Sequence, residues 1–130
     1  MMAKILLIDD DEQVLEIMTI FLERDQHEIS TATDGNRGIR LLENQQFDLV
    51  ITDVIMPELD GLEVLMWLKL NKQSYHPKII AISGGAASID QNELLNMCRL
   101  LSADEVLPKP VDFETLTGAV REVLGSRVEG

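Results

Sequence analysis

Five short apolar runs, each followed by a longer stretch of helical period, constrain this chain more than any other feature. The runs are Lys4 to Ile8, Glu28 to Ala32, Leu49 to Thr52, Lys78 to Ser83 and Glu105 to Leu107. Several are nearly continuous in Ile, Leu and Val, the pattern of parallel strands covered on both faces. Between them the spacing turns to three and four. Val14, Ile17, Met18, Phe21 and Leu22 predict a helix over Glu12 to Arg24. Leu62, Leu65, Met66 and Leu68 predict one over Leu62 to Asn71, and Phe113, Leu116, Val120, Val123 and Leu124 one over Phe113 to Leu124. Two further helices are expected over Asn36 to Gln45 and Asp90 to Leu101. Turn chemistry marks the joints at Asp34-Gly35, Pro57, Asp60-Gly61, Gly84-Gly85 and Pro110. Strand and helix alternating in this way predict an α/β, doubly wound, five-stranded parallel sheet with helices on both faces, a three-layer sandwich.

A chain of 130 residues holds one such domain, with no linker, repeat or low-complexity tract to divide it. Residues 1–125 are expected to form the domain and 126–130 a C-terminal tail, with fraying from Gly125 onward. No apolar run is long enough to span a membrane and no secretory leader is expected. The lone Cys98, read as a small buried helix residue, fits a reducing, cytoplasmic setting. Twenty-three acids against eleven bases give a net charge of −12, which argues against direct contact with nucleic acid. His27, before the second run, is expected to face solvent, and His76 lies in a polar loop; their spacing does not suit a metal site. Trp67 and the methionines read as core or helix surface.

Open α/β sheets bind ligands beyond the carboxyl ends of their strands, where the strand order reverses. The unusual polar residues of this chain fall at those ends: Asp9 and Asp10 after the first run, Asp53 after the third, Ser83 at the fourth and Lys109 after the fifth. If the order is 2-1-3-4-5, they share one crevice. Any one of them is explained by a strand end meeting water, but not three acids, a hydroxyl and a lysine together. Crowded carboxylates repel, and magnesium, a hard cation that takes oxygen ligands and keeps part of its water, relieves the repulsion. A lysine ammonium meets a phosphoryl oxygen as a compact charge. An aspartate oxygen is a competent nucleophile toward phosphorus, and phosphoryl transfer is served mainly by positioning and charge neutralisation. Asp11 stands beside the acidic pair but is read as the N-cap of the first helix.

Four segments together resemble the receiver domain of bacterial response regulators, the family that includes the chemotaxis protein CheY. They are Ile5-Leu6-Leu7-Ile8-Asp9-Asp10-Asp11; Asp48 to Pro57 with Asp60-Gly61; Ile82-Ser83-Gly84; and Leu107-Pro108-Lys109-Pro110. The resemblance covers nearly the whole chain and implies a flavodoxin-like or CheY-like fold. It implies that Asp53 is the phosphoacceptor. Asp10, Asp53 and the carbonyl of Ile55 would then ligate Mg2+, with Asp9 acting through water. Ser83 and Lys109 would meet the phosphoryl group, and the Lys109–Pro110 bond would be cis. It further implies a sensor histidine kinase or histidine-phosphotransfer domain as donor, a downstream effector protein or domain, and a phosphorylation-dependent dimer. Such a domain catalyses its own phosphorylation and dephosphorylation and is not otherwise an enzyme.

The chain departs from the family pattern in three places. Val106 stands where an aromatic switch partner is common. The switch set of Ser83, Gly84, Val106, Lys109 and Pro110 is therefore expected to work by a subtler movement, passed through the Gly84 to Ser88 loop. The output face would comprise the fourth predicted helix, the fifth strand and the fifth helix. Ile55 and Gly85 offer no polar group to a hydrolytic water, so self-dephosphorylation is expected to be slow. Phosphoryl decay should quicken in Ile55→Asn; an unchanged rate would count against this reading. The stretch from Ser83 to Lys109 is also longer than in the shortest members. Two rival readings fit the residues less well. A haloacid-dehalogenase-type phosphatase needs a second aspartate where Ile55 stands. A receiver-fold interaction module that is never phosphorylated usually lacks an acid or the lysine, and this chain keeps them all.

Overall fold

The computed structural model describes residues 2–54, 60–71, 76–83, 92, 96, 99–100, 102–108 and 111–129, with backbone alone at Asp60, Gly61, Ser83 and 126–129. The elements in chain order are β1 (Lys4–Ile8), α1 (Glu12–Arg24), β2 (Glu28–Ala32), α2 (Gly35–Asn44), β3 (Leu49–Asp53), α3 (Asp60–Leu70), β4 (Lys78–Ser83), β5 (Glu105–Pro108) and α4 (Phe113–Glu129). All strand pairs are parallel, as the alternation predicts, and the sheet order is β2-β1-β3-β4-β5, the order that the family resemblance implies. Within the expected helix Asp90 to Leu101, the described Asn92, Asn96, Arg99 and Leu100 are helical; its other residues lie outside the described set.

The sheet is the middle layer. On one face, Ile5, Leu7, Leu49, Ile51, Ile80 and Ile82 pack against Leu15, Met18 and Leu22 of α1 and against Leu116, Val120 and Val123 of α4. On the other, Leu6, Ile8, Val50, Ile79 and Ala81 meet Leu42 of α2 and Val64, Leu65 and Leu68 of α3. Alternate residues of each strand serve opposite faces, which is why the runs read as continuously apolar.

The structure differs from the sequence expectation along α1, at the start of α3, at the end of α4 and at His27. The buried stripe of α1 is Leu15, Met18 and Leu22, whereas Ile17 is 50% exposed. Met18 and Leu22 lie about one and two turns beyond Leu15 on the face that meets the sheet, and Ile17 is rotated off it. The Asp60-Gly61 pair opens α3 rather than preceding it. Finally, α4 continues through Gly125 to Glu129, where a tail was expected. A glycine in a helix costs about 1 kcal/mol relative to alanine, too little to end one when compatible residues follow it.

His27 is buried, not solvent-facing, and the turn after α1 explains why. Gln26 adopts φ 68°, the N–H of Gln26 donates to the Glu23 carbonyl, and that of His27 donates to the Leu22 carbonyl. This Schellman closure turns the chain inward. The Ala3 N–H then donates to His27 Nδ1 at 3.1 Å, and His27 Nε2 lies 4.0 Å from Asp25 Oδ2. Asp25 accepts two hydrogen bonds from Arg121 of α4, at 2.7 and 3.1 Å. The Arg121 guanidinium holds the Asp25 carboxyl below its ordinary range. Burial pushes the His27 imidazole down, against the opposing pull of Asp25.

The unfolded chain therefore takes up a proton on His27 at about pH 6.5, a higher pH than the folded chain requires. Stability should be full above that value and fall as the pH drops below it. Urea midpoints measured from neutral pH down to about pH 5.5 should decline in the parent and decline less in His27→Gln. Parallel curves would show that His27 is not responsible.

Candidate functional site

The strand order reverses at β1: the chain passes to β2 on one side and to β3 on the other. Ile8 pairs with Thr52, so the next residues, Asp9 and Asp53, leave the two strands side by side. One carboxylate oxygen from each of Asp9, Asp10 and Asp53 lies within 4.8 Å of the others. Asp9 is 0% and Asp53 2% exposed, while Asp10 faces solvent.

Local hydrogen bonds fix this arrangement. The Asp9 N–H donates to the Ala32 carbonyl at 3.1 Å, holding the end of β1 to β2. Asp9 Oδ1 accepts the Asp11 N–H at 2.9 Å. Asp11 Oδ1 in turn accepts the N–H groups of Gln13 and Val14 at 2.9 and 3.4 Å. Asp11 is thus the N-cap of α1, as expected, and lies outside the acidic group. On the far side the Val54 N–H donates to the Ile82 carbonyl at 3.1 Å, tying the end of β3 to β4.

The backbone of Ser83 follows directly on Ile82, the register partner of Asp53, and pairs with Pro108 of β5. Lys109 follows Pro108 in the chain, but Ile55, Gly84, Lys109 and Pro110 lie outside the described residues, as does the side chain of Ser83. Val106 is half-buried and packs against the core cluster on the α2 and α3 side of the sheet. Thr33, which the sequence alone does not single out, lines a hollow of about 510 Å³ with Asp10 and Asp11. Its signal was available: it is the first residue beyond β2, at the same edge of the sheet as the acids.

Two carboxylates at 4.8 Å repel by about 3 kcal/mol at an effective dielectric near 20. Three oxygen donors, two of them buried, form a set suited to a hard divalent cation. A cation held there would neutralise charge beside the buried carboxylate of Asp53.

Comparison with known proteins places the chain in a family. The response regulator receiver domain family matches residues 5–121. The transcriptional regulatory protein CpxR homolog of Haemophilus influenzae is 32% identical over 123 residues, which cover 95% of this chain and 51% of that protein. The alkaline phosphatase synthesis transcriptional regulatory protein PhoP of Bacillus subtilis is 30% identical, with 95% and 49% covered. The chain thus spans about half the length of these curated relatives. Among solved structures, a CheY-like response regulator receiver domain protein from Methanospirillum hungatei superposes with a TM-score of 0.85 at 28% identity, with 100% of both chains covered. The chemotaxis protein CheY4 of Vibrio cholerae gives 0.83 at 26% identity, over 95% of this chain and 99% of that one. No described helix is long and apolar enough to cross a membrane.

Proposed function

This chain belongs to the response regulator receiver domain family of two-component systems, and on that premise we propose that it accepts a phosphoryl group onto Asp53 from a phosphohistidine donor. The observation that carries the proposal is the gathering of Asp9, Asp10 and Asp53 at the strand-order reversal. An Asp53 carboxylate oxygen attacks phosphorus, the phosphorus–nitrogen bond of the donor breaks, and the departing imidazole keeps the electron pair and takes a proton. The product is an acyl phosphate, and hydrolysis returns the carboxylate. Both steps are catalysed by the domain itself.

Asp10, Asp53 and the Ile55 carbonyl would hold Mg2+, with Asp9 acting through water. The metal, when bound, neutralises phosphoryl oxygens as charge develops on them. Burial of Asp9 and Asp53 keeps their carboxylates in one orientation, so little ordering remains at the moment of transfer. Lys109 supplies a second positive charge to the phosphoryl oxygens, and Ser83 donates its hydroxyl to another.

A charge change at Asp53 biases a two-state element elsewhere only through a differential contact. Ser83 and the Gly84 to Ser88 loop supply that contact, leading into the predicted helix Asp90 to Leu101. That helix, β5 and α4 form the proposed output face. The donor would be a sensor histidine kinase or histidine-phosphotransfer domain in the cytoplasm. The output would be an effector domain or protein, with dimerisation on phosphorylation.

Incubation with phosphoramidate and Mg2+, followed by intact-mass measurement, tests the reading. The parent should gain one phosphoryl group; Asp53→Asn, or the parent with the metal chelated, should gain none. Equal labelling of parent and variant would overturn it.

A further inference from the structure

The outer edge of the sheet carries a second surface, apart from the phosphorylation chemistry. β2 ends the sheet on one side, and no described strand flanks it there. The Glu28 N–H donates to the Ala3 carbonyl and the Ala32 carbonyl accepts from the Asp9 N–H. Residues of a parallel strand turn their backbone groups alternately to one side and the other. Glu28, Ser30 and Ala32 therefore turn toward β1, and the N–H and C=O of Ile29 and Thr31 point outward. The strand reads Glu-Ile-Ser-Thr-Ala, without the proline or lysine that commonly blocks an open edge.

A groove of about 540 Å³ runs along this edge between β2 and α1. Its strand wall is made by Ile29, Thr31 and Thr33, the alternate side chains of one face. Its helix wall carries Ile20, which is 47% exposed, and three carboxylates, Glu12, Glu16 and Glu23, with no basic side chain in the lining.

We propose that this groove docks an extended basic segment of a partner protein, which adds to the outer edge of β2. Its backbone would pair with Ile29 and Thr31. The side chains that it turns toward α1 would be lysines or arginines, whose methylene stems lie on Ile20 and Ile29 and whose charges meet the glutamates of α1, while the residues between them face the opposite side of the sheet. Main-chain pairing supplies affinity in such strand addition, and side chains supply selectivity. A second copy of this chain is disfavoured as occupant, since two copies would bring the same acidic rim together and each carries −12.

The test uses the full chain, 15N-labelled, titrated with a short end-blocked peptide of alternating valine and lysine. The amide signals of Ile29 and Thr31 should shift saturably. Methylating alternate peptide nitrogens should weaken binding about tenfold by removing edge hydrogen bonds. Glu16→Lys should weaken it about threefold, and a valine–glutamate peptide should not bind. Absence of saturable binding would overturn the proposal. So would undiminished binding of the methylated peptide, or self-association of the chain through β2 in sedimentation experiments.

Discussion

Mg2+ at about a hundredfold excess over its dissociation constant should raise the folding stability of this chain by about 2.7 kcal/mol, because a ligand held only by the folded state stabilises it by mass action. For a domain of this length the midpoint of thermal unfolding should rise by about 10 °C. The expected ligands come from separate strands: Asp9 and Asp10 follow β1 and Asp53 ends β3, so an unfolded chain does not assemble them. Asp9→Asn combined with Asp53→Asn keeps the side-chain shapes, and the Asp11 N–H can still donate to the amide oxygen at position 9. The double variant should therefore fold but lose most of the rise. Glu16→Gln, which removes a charge from the α1 wall of the β2 groove, should keep it. An equal rise in the double variant would place the metal elsewhere and remove the support on which the phosphoacceptor reading of Asp53 rests.

The second large effect concerns Gly38, in the middle of α2. A Cβ added there would stand 2.5 Å from Ile8 Cδ1 and 3.1 Å from Ile8 Cγ1. Ile8 is 0% exposed in the core cluster, so its end methyl must shift among buried neighbours. Overpacking of this kind costs about 1–3 kcal/mol, set against a helix-propensity gain of about 1 kcal/mol from alanine. Gly38→Ala should be destabilising in the parent. In an Ile8→Val background, where the clashing methyl is gone, it should be close to neutral or stabilising. Urea unfolding of the four chains gives the coupling directly, and the same cost in both backgrounds would refute the contact. Because Ile8 immediately precedes Asp9, Gly38→Ala should also weaken the Mg2+ response.

The acidic site was legible because each of its residues sits at the end of an apolar run, and the runs were unambiguous. Asp11 was also legible, since an aspartate immediately before a helical period is an N-cap by its chemistry alone. His27 was misread for the opposite reason. Its burial follows from the left-handed Gln26 and the closing hydrogen bonds behind α1, and no periodicity encodes these. The stripe of α1 was half right, because Ile17 is as apolar as Leu15 and only the position of the sheet decides which is covered.

What this sequence determined by itself was the alternation of strand and helix, and the chemistry placed at each strand's end, because hydrophobic period and residue type are local properties. The packed chain alone decided the neighbours. It put β1 beside β3, brought Asp9 and Asp53 together across 44 positions of sequence, left β2 as an open edge and buried His27. These outcomes depend on how strands pair and which surfaces compete for the same core, and such competition exists only after the elements meet.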